Sequence, residues 1–81
     1  LMHILHPDKP HELASDAGGR ISLLPLHGDV HGVTLTGFEY PLTNHTITGG
    51  SSLGISNRIL EDQATVQFSE GTLLCVQSQE I

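Results

Sequence analysis

Apolar and polar residues alternate in short runs along this chain, and no window of eleven or more residues repeats apolar positions at i, i+3, i+4 and i+7. The runs recur every ~8 to 12 residues with turn-forming residues between them, the spacing of β-sandwiches and barrels. Residues 1–6, LMHILH, form an apolar edge strand stopped by Pro7 and Pro10. A returning strand at 11–14 would make a hairpin with it, and the Asp- and Gly-containing stretch 15–19 reads as a loop. RISLLPL at 20–26 is a mostly apolar strand in which Pro25 implies a bulge or an edge position. After a turn at 27–29, residues 30–36 set Val33 and Leu35 against Thr34 and Thr36, as in a strand with one wet face. Phe38, Tyr40 and Leu42 fall on one face of the next predicted strand, a turn at 43–45 follows, and residues 46–48 begin another. Residues 56–60 read as extended. Residues 63–68 and 72–78 flank the 69–71 turn as the clearest hairpin signal, with Ala64, Val66 and Phe68 facing inward. The expectation is an all-β, antiparallel domain whose core includes Ile21, Leu23, Leu35, Val66, Phe68 and Leu73.

Length and charge narrow the function. Eighty-one residues make one small domain that buries only about 60% of its unfolded surface, so association with a partner is expected. Nine acids against Lys9, Arg20 and Arg58 give a formal charge of −6, which excludes nucleic acid and anionic membranes as natural partners and leaves a cationic ligand unrepelled. No apolar run approaches the ~18 residues of a membrane span, and the first residues lack the basic and apolar regions of a signal peptide. Cys75 is the only cysteine and can make no intrachain disulfide, which points to a reducing compartment or to no preference, and a cytoplasmic location is expected. In its apolar strand it reads as an inert buried thiol. A first residue of leucine rather than methionine reads as a fragment or a processed product.

The densest run of small and hydroxyl-bearing residues lies within residues 40–57, YPLTNHTITGGSSLGISN. Gly49, Gly50 and Gly54 permit unusual backbone shapes, Ser51, Ser52 and Ser56 offer hydroxyls, and Asn57 adds an amide. Groups that both donate and accept suit the edge of a heteroaromatic ligand with ring nitrogens and an amino group. Tyr40 could stack on such a ring, although an aromatic at a strand position more often packs in the core. The competing reading of the serines is a tight turn with its hydroxyls bonded to backbone. Three other chemistries are weaker. His27, Asp29 and His31 stand at i, i+2 and i+4, but the intervening glycine favours a turn over a metal-binding strand. GGSSLG lacks the lysine and helix of a phosphate loop, and the serines have no base and orienting acid close in sequence. No catalytic or metal-ligating residue is therefore assigned in this chain.

RISLLPL at 20–26, VHGVTLTG at 30–37, YPL at 40–42 and GSSLGISN at 50–57 together resemble the C-terminal, thiamine-binding domain of bacterial thiamine pyrophosphokinases. The pattern of that family is an I-S-L-x-P-L strand, a G-V-T-x-x-G segment leading to Y/W-P/N-L, an S-S-x-G-x-S-N loop, and a closing hairpin with an E-G turn. All four blocks occur in order over residues 20–78. Arg58 departs from the pattern, standing where an acidic residue is expected. The resemblance implies a jelly-roll-like β-sandwich, with thiamine held by Ser51, Ser52, Ser56, Asn57 and Tyr40. It further implies a homodimeric enzyme that transfers a pyrophosphoryl group from ATP to thiamine, giving thiamine diphosphate and AMP. Mg²⁺ and ATP would be held by carboxylates of a preceding nucleotide-binding domain, so the fragment alone would be inactive. The adjacent Glu61 and Asp62 would point to opposite strand faces and supply no such cluster. The alternative is a stand-alone cupin-like or lectin-like module that binds a metal or a small ligand.

Overall fold

A computed structural model describes residues 2–14, 19–49 and 54–79. It contains eight strands, β1 (Met2–Leu5), β2 (His11–Ala14), β3 (Arg20–Pro25), β4 (Val30–Thr36), β5 (Leu42–Ile47), β6 (Ile55–Arg58), β7 (Gln63–Gln67) and β8 (Leu73–Ser78). They form two four-stranded sheets, ordered β1-β8-β3-β6 and β2-β7-β4-β5, with every pairing antiparallel. The pairs β1·β8, β2·β7, β3·β6 and β4·β5 are nested like the two arms of one long hairpin whose apex is residues 37–41. Rolling that hairpin up makes a jelly roll. Among the described residues no helix is long and apolar enough to cross a membrane.

The roll follows from period-2 patterning on both sheets. Ile21, Leu23, Leu73 and Cys75 of the first sheet meet Val30, Val33, Leu35 and Val66 of the second, each fully buried. Phe68 and Ala64 complete the predicted core. Pro25 ends β3 beside Leu73 of β8, beyond the last β3·β6 pair at Leu23 and Ile55, so its missing amide hydrogen costs no ladder bond.

Four local expectations are corrected. The 63–78 segment is not a hairpin, since β7 and β8 lie in different sheets and the turn between them crosses the sandwich. That crossing is pinned by Ser69 N–H donating to His31 O and His31 N–H donating to Glu70 O, each at 2.9 Å. Strands β1 and β2 likewise belong to opposite sheets. A turn signal specifies a change of direction, and does not decide whether the returning strand pairs with its predecessor or stacks across the core. The expected 43–45 turn is a bulge within continuous β5, where Asn44 takes φ 49° and the β4·β5 register shifts. Asparagine is among the few residues that tolerate that conformation, so a turn-forming residue here kinks a strand instead. The predicted strand through Phe38, Tyr40 and Leu42 is also broken. Phe38 is buried opposite Ile59, Tyr40 is 63% exposed, and β5 begins only at Leu42.

Cys75 lies at the centre of β8, and burial pushes its thiol from 9.0 up to about 11. Between those values an unfolded chain ionises the thiol while the folded chain keeps it protonated. Its contribution to stability is therefore complete below pH 9 and lost as pH rises toward 11. Replacing Cys75 by Ala should reduce the alkaline fall in urea-unfolding free energy over that window. In the native protein the thiol should react with an aromatic disulfide reagent only as fast as the domain opens.

Candidate functional site

The predicted ligand residues divide around β6. This strand is the last of the first sheet, and its alternation turns Ser56 and Arg58 to the outer face while Ile55 and Asn57 turn inward. Ser56 and Asn57 were expected to act together, yet as strand neighbours they cannot point the same way. They meet at one groove because the apex of the long hairpin folds back along the edge of β6. There Phe38 pairs with Ile59, and Glu39 N–H donates to Arg58 O at 2.8 Å.

Asn57 fastens that fold-back. Its side-chain oxygen accepts from Tyr40 N–H at 3.0 Å and from Arg58 N–H at 2.9 Å, and its Nδ2 donates to Tyr40 O at 2.7 Å. The amide thus bonds both backbone groups of Tyr40, as an opposing strand residue would. The 38–41 segment is not a strand, so without this side chain its polar backbone would lie partly buried and unpaired. Asn57 is only 4% exposed. Both acceptor positions of its oxygen are occupied, and one N–H remains for any further partner.

Tyr40, Ser56 and Asn57 line a groove of about 180 Å³ together with Arg20, Glu39 and Arg58. Three of the five expected ligand residues are therefore brought together, while Ser51 and Ser52 lie outside the described residues. Arg20 and Arg58 were not anticipated as part of the site. They face each other across the β3·β6 ladder, a register that only the paired strands reveal. On either side of residues 50–53 the chain is held closely. Gly49 N–H donates to the Asp29 carboxylate at 2.8 Å, and Gly28 packs so tightly on Gly49 that a side chain there would collide with its backbone. Gly54, at φ 63°, is pressed against Leu23 O and the Leu24 side chain. These glycines serve close approach as much as backbone freedom.

A larger cleft of about 690 Å³ opens elsewhere, between the free edges of β1 and β2, and includes His3, Lys9, His11 and Glu12 in its walls. Buried Gln77 spans it, accepting from His3 Nε2 and donating to Ala14 O, each at 3.3 Å. Its residues are remote in sequence from the predicted loop, and size alone does not make it the site. The His27, Asp29 and His31 pattern does not assemble. Asp29 is committed to Gly49, His31 contacts Thr46 Oγ1 at 3.3 Å, and among the described residues no three His, Cys, Asp or Glu side chains converge as metal ligands would.

An eight-stranded jelly roll with a polar groove where the apex meets an edge strand defines the class, an antiparallel β-sandwich domain. Residues 2–73 match the family model described as "Thiamin pyrophosphokinase, vitamin B1 binding domain", and the chain belongs to that family. It is 39% identical over 77 residues to thiamine pyrophosphokinase of Bacillus subtilis (strain 168), an alignment covering 94% of this chain and 36% of that protein. The crystal structure of thiamine pyrophosphokinase from Bacillus subtilis superposes with a TM-score of 0.86 at 36% identity, covering 99% of this chain and 38% of the other. The Geobacillus thermodenitrificans structure gives 0.87 at 38% identity, with 98% and 37% covered. The chain therefore spans little more than a third of the length of these relatives.

Replacing Asn57 by Ala should remove all three hydrogen bonds at the fold-back and leave Tyr40 N–H and O to find water. A loss of about 1–3 kcal/mol in urea-unfolding free energy is expected, with faster amide exchange at residues 39–41. A variant as stable as the parent would show that water replaces the amide without cost.

Proposed function

We propose that this chain is the thiamine half-site of an ATP-dependent thiamine pyrophosphokinase that forms thiamine diphosphate and AMP, acting in the cytoplasm. The observation that carries this reading is the convergence of Tyr40, Ser56 and Asn57 on one groove within a domain of the vitamin B1 binding family. In this reading the Tyr40 ring stacks on the aminopyrimidine, the Ser56 hydroxyl donates to or accepts from its edge, and the remaining Asn57 N–H meets a ring nitrogen. Ser51 and Ser52 add further hydroxyls from the adjoining loop. Those five residues bind and orient the ligand, and none performs chemistry on it.

ATP and Mg²⁺ belong to a nucleotide-binding domain outside this chain. The donor set here does not fit Mg²⁺, because among the described residues no three His, Cys, Asp or Glu side chains converge. The isolated chain should therefore bind thiamine weakly and transfer nothing.

Assembly as a homodimer is part of the same proposal. The outer face of the first sheet carries the rows Ile4, Leu74, Leu24 and Met2, Val76, Ser22, with Met2 68% and Ile4 59% exposed. Such a face needs cover in a domain this small. It runs into Ser56 at the groove through the Ser22·Ser56 pair, so a partner subunit seated there would bring its nucleotide domain across from the thiamine half-site. Sedimentation should show dimers at micromolar concentration that Ile4→Lys converts to monomers. A stable monomer at high micromolar concentration would remove the dimer.

In the full-length enzyme, Ser56→Ala and Tyr40→Ala should each weaken thiamine use about tenfold or more while leaving ATP affinity unchanged. Both side chains are exposed in this chain, so these variants separate binding from stability better than a change at Asn57. Unaltered thiamine kinetics in both would remove the groove from the site. A parent enzyme without pyrophosphokinase activity would remove the functional reading altogether.

A further inference from the structure

The chain has only three basic residues, and two of them, Arg20 and Arg58, are directly opposed across β3 and β6. Like charges at opposed positions of a ladder repel, and in a protein of formal charge −6 this placement cannot be attributed to general basicity. Directly beside them the next outward pair is Ser22 and Ser56. Two guanidinium groups and two hydroxyls thus form a four-residue patch on the outer face at the groove, rich in hydrogen-bond donors. The acid lining the same groove is Glu39, on the apex segment, which leaves the groove with a surplus of positive charge. Arg58 already interacts within the protein, and its guanidinium carries five N–H donors in all.

We propose that Arg20 and Arg58 form a binding site for a phosphate-type anion, a diphosphate group above all, with the Ser22 and Ser56 hydroxyls as supporting donors. Planar guanidinium forks suit paired phosphoryl oxygens, and the two positions on adjacent strands match a ligand with more than one phosphoryl group better than a single phosphate.

The anion site does not depend on the thiamine reading, because inorganic diphosphate is itself the probe. Calorimetric titration of the chain should show diphosphate binding more tightly than orthophosphate and weakening as salt rises. Arg20→Gln and Arg58→Gln should each reduce diphosphate affinity about tenfold, and the double variant should abolish it, with circular dichroism unchanged. Should a glutamine variant fail to fold, Arg20→Lys and Arg58→Lys keep the charge without the fork and should still weaken binding severalfold. Two further titrations distinguish the source of the anion. If thiamine diphosphate competes with diphosphate and its advantage over thiamine disappears in the double variant, the group belongs to the groove's own ligand. If thiamine and diphosphate bind together without competition, it belongs to a separate molecule such as a nucleotide. Either result supports the site. Diphosphate that fails to bind at about 10 mM, or binds the double variant as well as the parent, overturns it whatever thiamine does.

Discussion

Each sheet of this domain has one face that must leave water, and with eighty-one residues the only cover available is the other sheet. Ile21, Leu23, Leu73 and Cys75 on one side and Val30, Val33, Leu35 and Val66 on the other satisfy that demand completely. Much else is consequence. Apart from β4 and β5 at the apex, sequential strands alternate between sheets, the nested pairs close from the apex outward, and the turns at 6–10 and 68–72 become crossings. The buried thiol at Cys75 reflects the same dryness, its ionisation resisted by the medium that stabilises its aliphatic neighbours.

Rolling a hairpin into two sheets leaves edges, and the structure treats them differently. The edge of β6 is covered by the apex, which is not itself a strand and is held by the Asn57 amide acting in place of a backbone partner. At the other side β1 and β2 have no further strand beside them among the described residues, and Gln77 bridges them through His3 and Ala14. Of the two, the covered edge is the one with a built polar surface. The side chain that closes the edge also lines the groove. A ligand that engages its last N–H would rigidify the apex as well.

The groove also gives an electrical sense to a domain that is otherwise acidic. Its two arginines lie where the ladder register brings them together, with a pair of serines beside them and Glu39 on the facing segment. Tyr40 on the apex, Ser56 and Arg58 on β6 and Arg20 on β3 line that one groove.

Local patterning was enough to determine most of the strands and the core. Alternation at 30–36 and 63–68 placed Val33, Leu35, Ala64, Val66 and Phe68 inside, because period-2 burial is a property of each strand taken alone. The motif blocks likewise marked Tyr40, Ser56 and Asn57, which do converge. Sheet membership could not be read in this way, since a turn such as 69–71 has the same chemistry whether it closes a hairpin or crosses a sandwich. Nor could the sequence show that Asn57 spends most of its amide on Tyr40 while its neighbour Ser56 faces the opposite side, or that Arg20 stands opposite Arg58 thirty-eight positions later. Those facts depend on register between strands distant in the chain, and register is set by the joint burial of both sheets, a condition no single segment contains.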